Sequence, residues 1–416
     1  MLNTKGVREL AYVTRIDEIR PIEGADKVEL AIIGGWQVMV RKNQFKVGDP
    51  AIYFEIDSKV PETEPFKFLE SKHYKIKTQK YFKGTILSQG LLMSASDFNW
   101  KIEYDSQDSS GDVPFIIDDK NNYHYTSGES RFLTKELNVK YVVDEDNIRK
   151  ANSVDKYKKM AARHPELFKK APIRWLMRRT WGKKLLFVFF GKKRDKTGWP
   201  AWVEKTDEER CQNLTGLLFN EGPWSKEDWI ATEKIDGSST TFTIKRGHGL
   251  RKNQFFVCSR NVVFDKPDKK CFYPSNIYLE MAEKYNIEEK MTKMLKHFPQ
   301  AEWITIQGET YGEGVQKRDY SLKEHDFKAF NLIMSDTGRW NTLNMKAWLE
   351  EIYKIPCVPV IKEHYQLPDT IEELLDYATG ISVFDGKERE GIVFRSWDGK
   401  KSFKAVSNEF LIKYHQ

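Results

Sequence analysis

A lysine one residue ahead of Asp-Gly, in "TEKIDGSSTTF" from Thr232 to Phe242, is the first feature of this chain that could do chemistry. Lysine attacks a phosphoryl or carbonyl centre only as the neutral amine. Lys234 therefore needs burial, nearby cations or a bound metal to lose its proton. The stretch also has a plainer reading, because Asp236-Gly237 between two alternating runs is a strong hairpin signal. Partners further along the chain must decide. Arg260, in "FVCSRNVVF", follows an apolar strand, where a guanidinium could grip phosphate; by itself it reads as a surface arginine. "WITIQGETYGEGVQ" sets Glu309 in a Gly-rich stretch after a strand. A carboxylate there could hydrogen-bond a sugar hydroxyl, with glycines letting a ligand come close. Gly308, Gly312 and Gly314 make no dinucleotide fingerprint, since no crossover helix follows. "DFKAFNLI" offers Phe327 and Phe330, one of which could stack on a base, although a core phenylalanine is the plainer reading.

"REGIVFRSWDGKKSFKAV" carries the most information. Two strand-like runs flank Trp397-Asp398-Gly399, and a three-residue loop with Gly399 in the left-handed conformation is a common hairpin solution. That register opposes Ile392 to Lys404 and sets Glu390 and Lys404 on one face. A metal-binding carboxylate beside a phosphate-binding lysine suits a metal-bound triphosphate. A two-residue loop would separate them onto opposite faces.

These residues need a scaffold, and 416 residues predict two or three domains. Charged residues make up 31% of the chain and apolar content is ordinary, which fits a soluble globular protein. The longest apolar run, "LLFVFF", is far too short to cross a bilayer. "MLNTKGVREL" lacks the apolar core of a signal peptide. Four scattered cysteines without a C-x-x-C pair argue against zinc or a disulfide framework, so a cytoplasmic location with reduced thiols is expected.

Residues 1–100 read as all-β, with "VELAII", "WQVMV" and "AIYFEI" punctuated by Gly34-Gly35 and "KVGDP", the pattern of a small OB-like β-barrel. Residues 101–204 read as a basic linker. Net charge is +7, yet 149–205 holds eighteen Lys and Arg against four Asp and Glu. Trp and Phe are interleaved there. That suits a nucleic-acid track in which rings stack on bases, or else a solvated linker with aromatics packed between domains. Residues 205–416 mix hairpins with three helical segments: "IYLEMAEKYNIEEKMTKMLKHF", "LNMKAWLEEIYK" and "TIEELLDYA". The fold class is α+β, with antiparallel sheets and flanking helices in this last domain.

The ordered set "EKIDGS", "SRN", "QGETYG", "DFKAFNL", "EGIVF" and "SFKAV" resembles the successive motifs of the covalent nucleotidyltransferases, the polynucleotide ligases and mRNA capping enzymes. The resemblance implies that Lys234 attacks the α-phosphorus of ATP to give lysyl-AMP. AMP would then pass to a 5′-phosphate end, and a 3′-hydroxyl would displace it. It further implies Glu309 on the ribose, Phe330 on the adenine and Glu233 beside the base. Glu390 would bind Mg²⁺ or Mn²⁺, Lys404 would contact the α-phosphate, and Arg260 would contact the nucleotide or the RNA end. Asp236 varies in role among such proteins and is assigned first to the turn.

The N-terminal β domain and "KTDEERCQNL" resemble the Deinococcus-type nick-sealing RNA ligases, whose OB domain comes first, and no second barrel is expected after Lys404. The expected activity is ATP-dependent RNA repair at nicks, with RNA held by the barrel and the 149–205 segment. No membrane or obligate protein partner is expected. Two alternatives stay open: a DNA ligase or capping-type transferase with the same chemistry, and a non-catalytic RNA-binding protein. In one respect the chain departs from the pattern. Many relatives carry a second lysine where Val406 stands here, so another cation, such as Lys401, is expected to substitute.

Overall fold

In the computed structural model, the described residues are 1–3, 6–105, 113–142, 173, 176, 179, 186, 199–205, 208–264 and 271–414. They fall into two units, 1–140 with 199–416, and 141–198. The basic helix expected around 153–170 and most of the 149–205 belt lie outside the described residues.

The N-terminal β domain begins with β1 (Ala11–Arg15), β2 (Glu18–Pro21), β3 (Val28–Ile33), β4 (Trp36–Arg41) and β5 (Pro50–Phe54). Gly34 and Gly35, at φ 50° and 77°, supply the two left-handed residues of a two-residue turn, so Ile33 faces Trp36. Alternation along β4 then buries Trp36, Val38 and Val40 in one barrel core. A second core joins Val13, Ile52 and Phe54 to Ile116, Leu133 and Val139. Ile116, Leu133 and Val139, beyond the expected boundary at residue 100, thus pack into this second core.

The C-terminal domain is built from two antiparallel sheets. The first has the order β16 (Val360–Tyr365), β11 (Trp229–Lys234), β17 (Gly391–Ser396), β18 (Ser402–Val406), where β6–β10 are Ile86–Ser88, Leu91–Met93, Lys101–Asp105, Val113–Ile117 and Tyr123–Tyr125. The second has the order β13 (Gln254–Ser259), β12 (Ser238–Lys245), β14 (Trp303–Gly312), β15 (His325–Met334), closed by the short pair Gly338–Arg339. Helices α1 (Ile277–Lys284) and α2 (Ile287–His297) bury Met281, Met291 and Leu295 against Phe242, Ile304 and Ile306 of the second sheet. The sequence pattern predicts one helix here; Asn286, left-handed at φ 48°, breaks it in two. Helix α3 (Ile371–Ala378) starts at a Thr370–Glu373 capping box and packs Leu374 near Trp229 and Phe394 of the first sheet.

Of the aromatics in the basic belt, Trp199 and Trp202 are described: Lys205 Nζ lies 5.7 Å from the Trp199 ring centroid, and Trp202 packs on the second sheet. Its indole N–H donates to Thr243 Oγ1 at 3.1 Å, and its ring meets Phe256 edge-on. Packing, the plainer expectation, holds for this tryptophan.

Candidate active site

Strands β11 and β12 are not hairpin partners. β11 pairs with β16 and β17, whereas β12 pairs with β13 and β14. Ile235, Asp236 and Gly237 thus carry the chain from one sheet to the other, and the hairpin reading of Asp236-Gly237 is overturned. The crossover is fixed at two points: the Asp236 N–H donates to Tyr320 Oη at 2.6 Å, and Gln316 Nε2 donates to the Gly237 carbonyl at 3.0 Å. A side chain at 237 would strike the Thr310 carbonyl and Glu309 Cγ, so glycine is what lets the loop close down on Glu309.

A pocket opens between the two sheets, lined among others by Glu208, Thr232, Glu233, Lys234, Arg260, Glu309, Phe330, Arg395 and Lys404. One wall follows from register. Thr232 opposes Val393, Lys234 opposes Gly391, and Val393 opposes Lys404, so Thr232, Lys234, Val393, Arg395 and Lys404 share a face. The expected pairing of Ile392 with Lys404 is off by one, because the turn is Trp397–Lys400. Asp398 Oδ1 accepts from Ser396 Oγ and the Lys400 N–H, and Ser396 N–H donates to the Lys401 carbonyl. Gly399 is left-handed as expected, at φ 73°. Glu390 consequently reaches the site from just before β17 and not by strand parity. Its carboxylate accepts from Lys234 Nζ at 2.6 Å. Gly391 allows the close approach there, since a Cβ would lie 2.1 Å from the Ala405 carbonyl oxygen.

The opposite wall comes from the second sheet. Glu309 stands across from Ser239 on the neighbouring strand. Phe330 is a bulge residue: Gln307 pairs with Asn331 and Gly308 with Ala329, which leaves Phe330 unopposed and turned to the pocket. Phe327, three residues earlier, is fully buried in the core. Arg260 sits exposed at the mouth.

The electrostatics run against one expectation. Burial pushes the Lys234 ammonium down, but the Glu390 and Glu309 carboxylates outweigh it and hold its pKa above the ordinary lysine value. Glu309 is pushed up to about 8, by burial first, then by Glu390 and Asp236, against the pull of Lys234 and Arg260. Carboxylates thus outnumber cations around the amine. Burial also raises Glu233, whose Oε2 accepts the Val383 N–H at 2.9 Å while Oε1 is buried without a hydrogen-bond partner among the described residues. A buried acceptor of this kind is costly unless a donor from a ligand or a water meets it.

Because Glu309 has a folded pKa above its unfolded value, it favours the folded state at low pH, and that contribution is lost as pH rises through about 8. Glu309→Gln should therefore melt at least about 2 °C above the parent at pH 9. The gain should vanish below pH 4. Thermal melts across pH check it; an equal difference at every pH would contradict it.

Two pocket residues had no signal in the motif reading. Arg395 is buried, lies 5.5 Å from the Phe330 ring centroid, and donates to Glu208 Oε1 at 3.1 Å and Asn331 Oδ1 at 3.2 Å. Burial pushes the Glu208 carboxyl up, but Arg395, Ser402 and nearby cations more than offset it and hold it low. Glu208 arrives because residues 208–210 run beside β18, with the Lys404 N–H donating to the Glu209 carbonyl. Arg395→Met should cost about 2–3 kcal/mol by stranding Glu208, and Glu208→Leu on top of it should restore part of that loss. Denaturant titration of the singles and the double tests the coupling; additive effects would contradict it. The cation expected to replace a lysine at 406 is not Lys401, which pairs with Glu227 and does not line the pocket. Val406 itself is buried with Leu87 and Leu411.

Residues 227–415 match the RNA ligase family model, and residues 10–95 match an OB-fold domain model. The C-terminal domain is an RNA ligase domain. The whole chain is similar to solved structures of a Naegleria gruberi RNA ligase. The complex with PPi is 24% identical, with 98% of this chain and 99% of that chain covered at a TM-score of 0.61. A lysine-to-alanine mutant of that ligase with ATP and Mn is 24% identical over 99% of both chains, at a TM-score of 0.59. A lysine-to-methionine mutant with AMP and Mn is 24% identical over 98% and 100%, at a TM-score of 0.61. No curated protein matches the chain in sequence. The fold is thus shared along nearly the full length of both chains.

Proposed function

We propose that this protein is an ATP-dependent RNA ligase that seals 3′-hydroxyl to 5′-phosphate ends, at nicks of the Deinococcus type. The observation that carries the reading is convergence: six dispersed motif residues, Glu233, Lys234, Arg260, Glu309, Phe330 and Lys404, line one pocket, with Glu390 bonded to the lysine. Lys234 Nζ attacks the α-phosphorus of ATP; an N–P bond forms, the bond to pyrophosphate breaks, and the amine gives up its proton. Lys404, two strands over on the same face of the sheet, offsets charge on the α-phosphate. Phe330 offers its free face to the adenine, and the unpartnered Glu233 Oε1 fits the exocyclic amino group of that base. Glu309, protonated near neutral pH, both donates to and accepts from a ribose hydroxyl. Arg260, at the mouth, is suited to the nucleotide phosphates or the RNA 5′ end.

The donor set also fits a hard divalent cation. Glu390 and Asp236 bring negative charge to the lysine, and Glu390 is the ligand in reach of it. Bound there, Mg²⁺ or Mn²⁺ would withdraw the Glu390 carboxylate from Lys234 and lower the pKa of the amine. AMP passes from Lys234 to the RNA 5′-phosphate, and the 3′-hydroxyl then displaces it. RNA is held by the N-terminal barrel and the 149–205 segment.

Nicked duplexes that differ only in the sugar flanking the break test the substrate. RNA-containing nicks should be sealed at least tenfold faster than all-DNA nicks, and equal rates would remove the RNA assignment.

A further inference from the structure

One surface beside the site contributes no residue to the lining of the pocket. The strands Gln79–Tyr81 and Ile86–Ser88 (β6) pair through a turn in which Phe82 and Lys83 sit at φ 51° and 56°. Left-handed backbone is uncommon for bulky side chains, and it recurs where a residue must be aimed. Thr85 holds the turn, its hydroxyl donating to the Phe82 carbonyl at 2.8 Å, and the Phe82 ring stands 41% exposed. The hairpin is anchored to the ligase domain. Leu87 is buried with Val406, two residues beyond Lys404, and with Leu411, while Lys80 Nζ donates to the Ile412 carbonyl at 2.6 Å.

Across from it, Lys317 is exposed and within electrostatic reach of Lys80. Its neighbour Gln316 is the residue bonded to Gly237 in the loop that follows Lys234. Among the described residues, Lys83 and Lys317 form no ion pair, whereas Lys59, Lys67 and Lys413 do. Lys83 beside the exposed Phe82, with Lys317 in electrostatic reach of the same hairpin, is the composition of a strand-binding surface. The charges track phosphates and the ring stacks on a base. An acidic protein would use the cations but would not require Phe82 to adopt a strained backbone.

We propose that Phe82, Lys83 and Lys317 form a docking surface for the RNA strand flanking the reacting ends, bridging the barrel and the rim of the catalytic pocket. The proposal rests on the ligase reading for the identity of the polyanion. It deepens that reading by assigning a track distinct from the 149–205 belt.

The test uses the full chain, the triple variant Phe82→Ala/Lys83→Glu/Lys317→Glu and a labelled nicked RNA duplex with a 5′-phosphate at the break. The variant should label itself with α-labelled ATP, in the absence of RNA, within about twofold of the parent. Its affinity for the duplex should fall at least about thirtyfold at moderate salt, and the dependence of log K on log salt should become shallower by about 2. Phe82→Ala alone should weaken binding about tenfold with the slope unchanged. Unchanged affinity and slope in the triple variant would overturn the proposal, even with sealing intact. The ligase reading is judged separately: a parent protein that binds RNA through this surface but takes up no label fails as a ligase while the surface stands. The milder Lys83→Ala/Lys317→Ala pair, read by the same slope, serves where charge reversal disturbs folding.

Discussion

Lys234→Ala is expected to abolish both covalent nucleotide labelling and nick sealing, by at least about three orders of magnitude, with little change in melting temperature. The two halves of this expectation have separate grounds. The amine is the nucleophile, and no other lysine of the described pocket lies at the end of β11 against Glu390; Lys404 is on a different strand. Its removal therefore cannot be compensated by a neighbour. Stability should hold because the Lys234 side chain is 25% exposed and belongs to none of the apolar cores. Little charge is left behind: Glu390 loses a partner, but Glu309 beside it is already protonated near neutral pH and adds no repulsion. Labelling, sealing and thermal melts of the purified variant check all three. A fall of more than about 5 °C with partial activity would make the lysine a structural ion-pair partner and not the nucleophile.

Glu390→Gln should have the second-largest effect, and its signature is a pH profile. In the free protein the Glu390 carboxylate helps keep Lys234 charged, so the adenylation rate climbs with pH as the amine is freed. The amide removes that negative charge, so the lysine deprotonates more readily and the rising limb moves to lower pH. The maximal rate should nevertheless drop about 100-fold, because the proposed cation loses its carboxylate ligand. Single-turnover adenylation across pH separates these effects. A lower plateau with an unmoved limb would mean that Glu390 acts on the metal alone; a limb moved to higher pH would contradict the electrostatic account.

Much of the site was legible in the sequence because each motif carries its own local reason. Glu309 is found by its glycines, Lys404 by the last strand and Lys234 by the Asp-Gly that follows it. What local pattern could not supply was which strands would pair. "TEKIDGSSTTF" satisfies every rule for a hairpin, yet the two strands part into different sheets, a choice made by long-range pairing with β14 and β17. The one-residue error at Trp397–Lys400 has a side-chain cause, the Asp398 bonds that stabilise a longer turn. Arg395 and Glu208 were missed for a similar reason. They are 187 residues apart in the chain, and a buried ion pair of that separation leaves no periodic signal. The barrel's core likewise recruits Leu133 and Val139 from a stretch whose composition resembles a linker.

The central claim is that the Lys234 amine becomes covalently joined to the nucleotide. The direct measurement is to incubate the protein with manganese and ATP labelled at either the α- or the γ-phosphate, denature it, and map any label by peptide mass. The account predicts label from α-ATP alone, one AMP per chain, on the peptide that carries Lys234. Absence of label from a folded protein, label from γ-ATP, or AMP on a different lysine would contradict it.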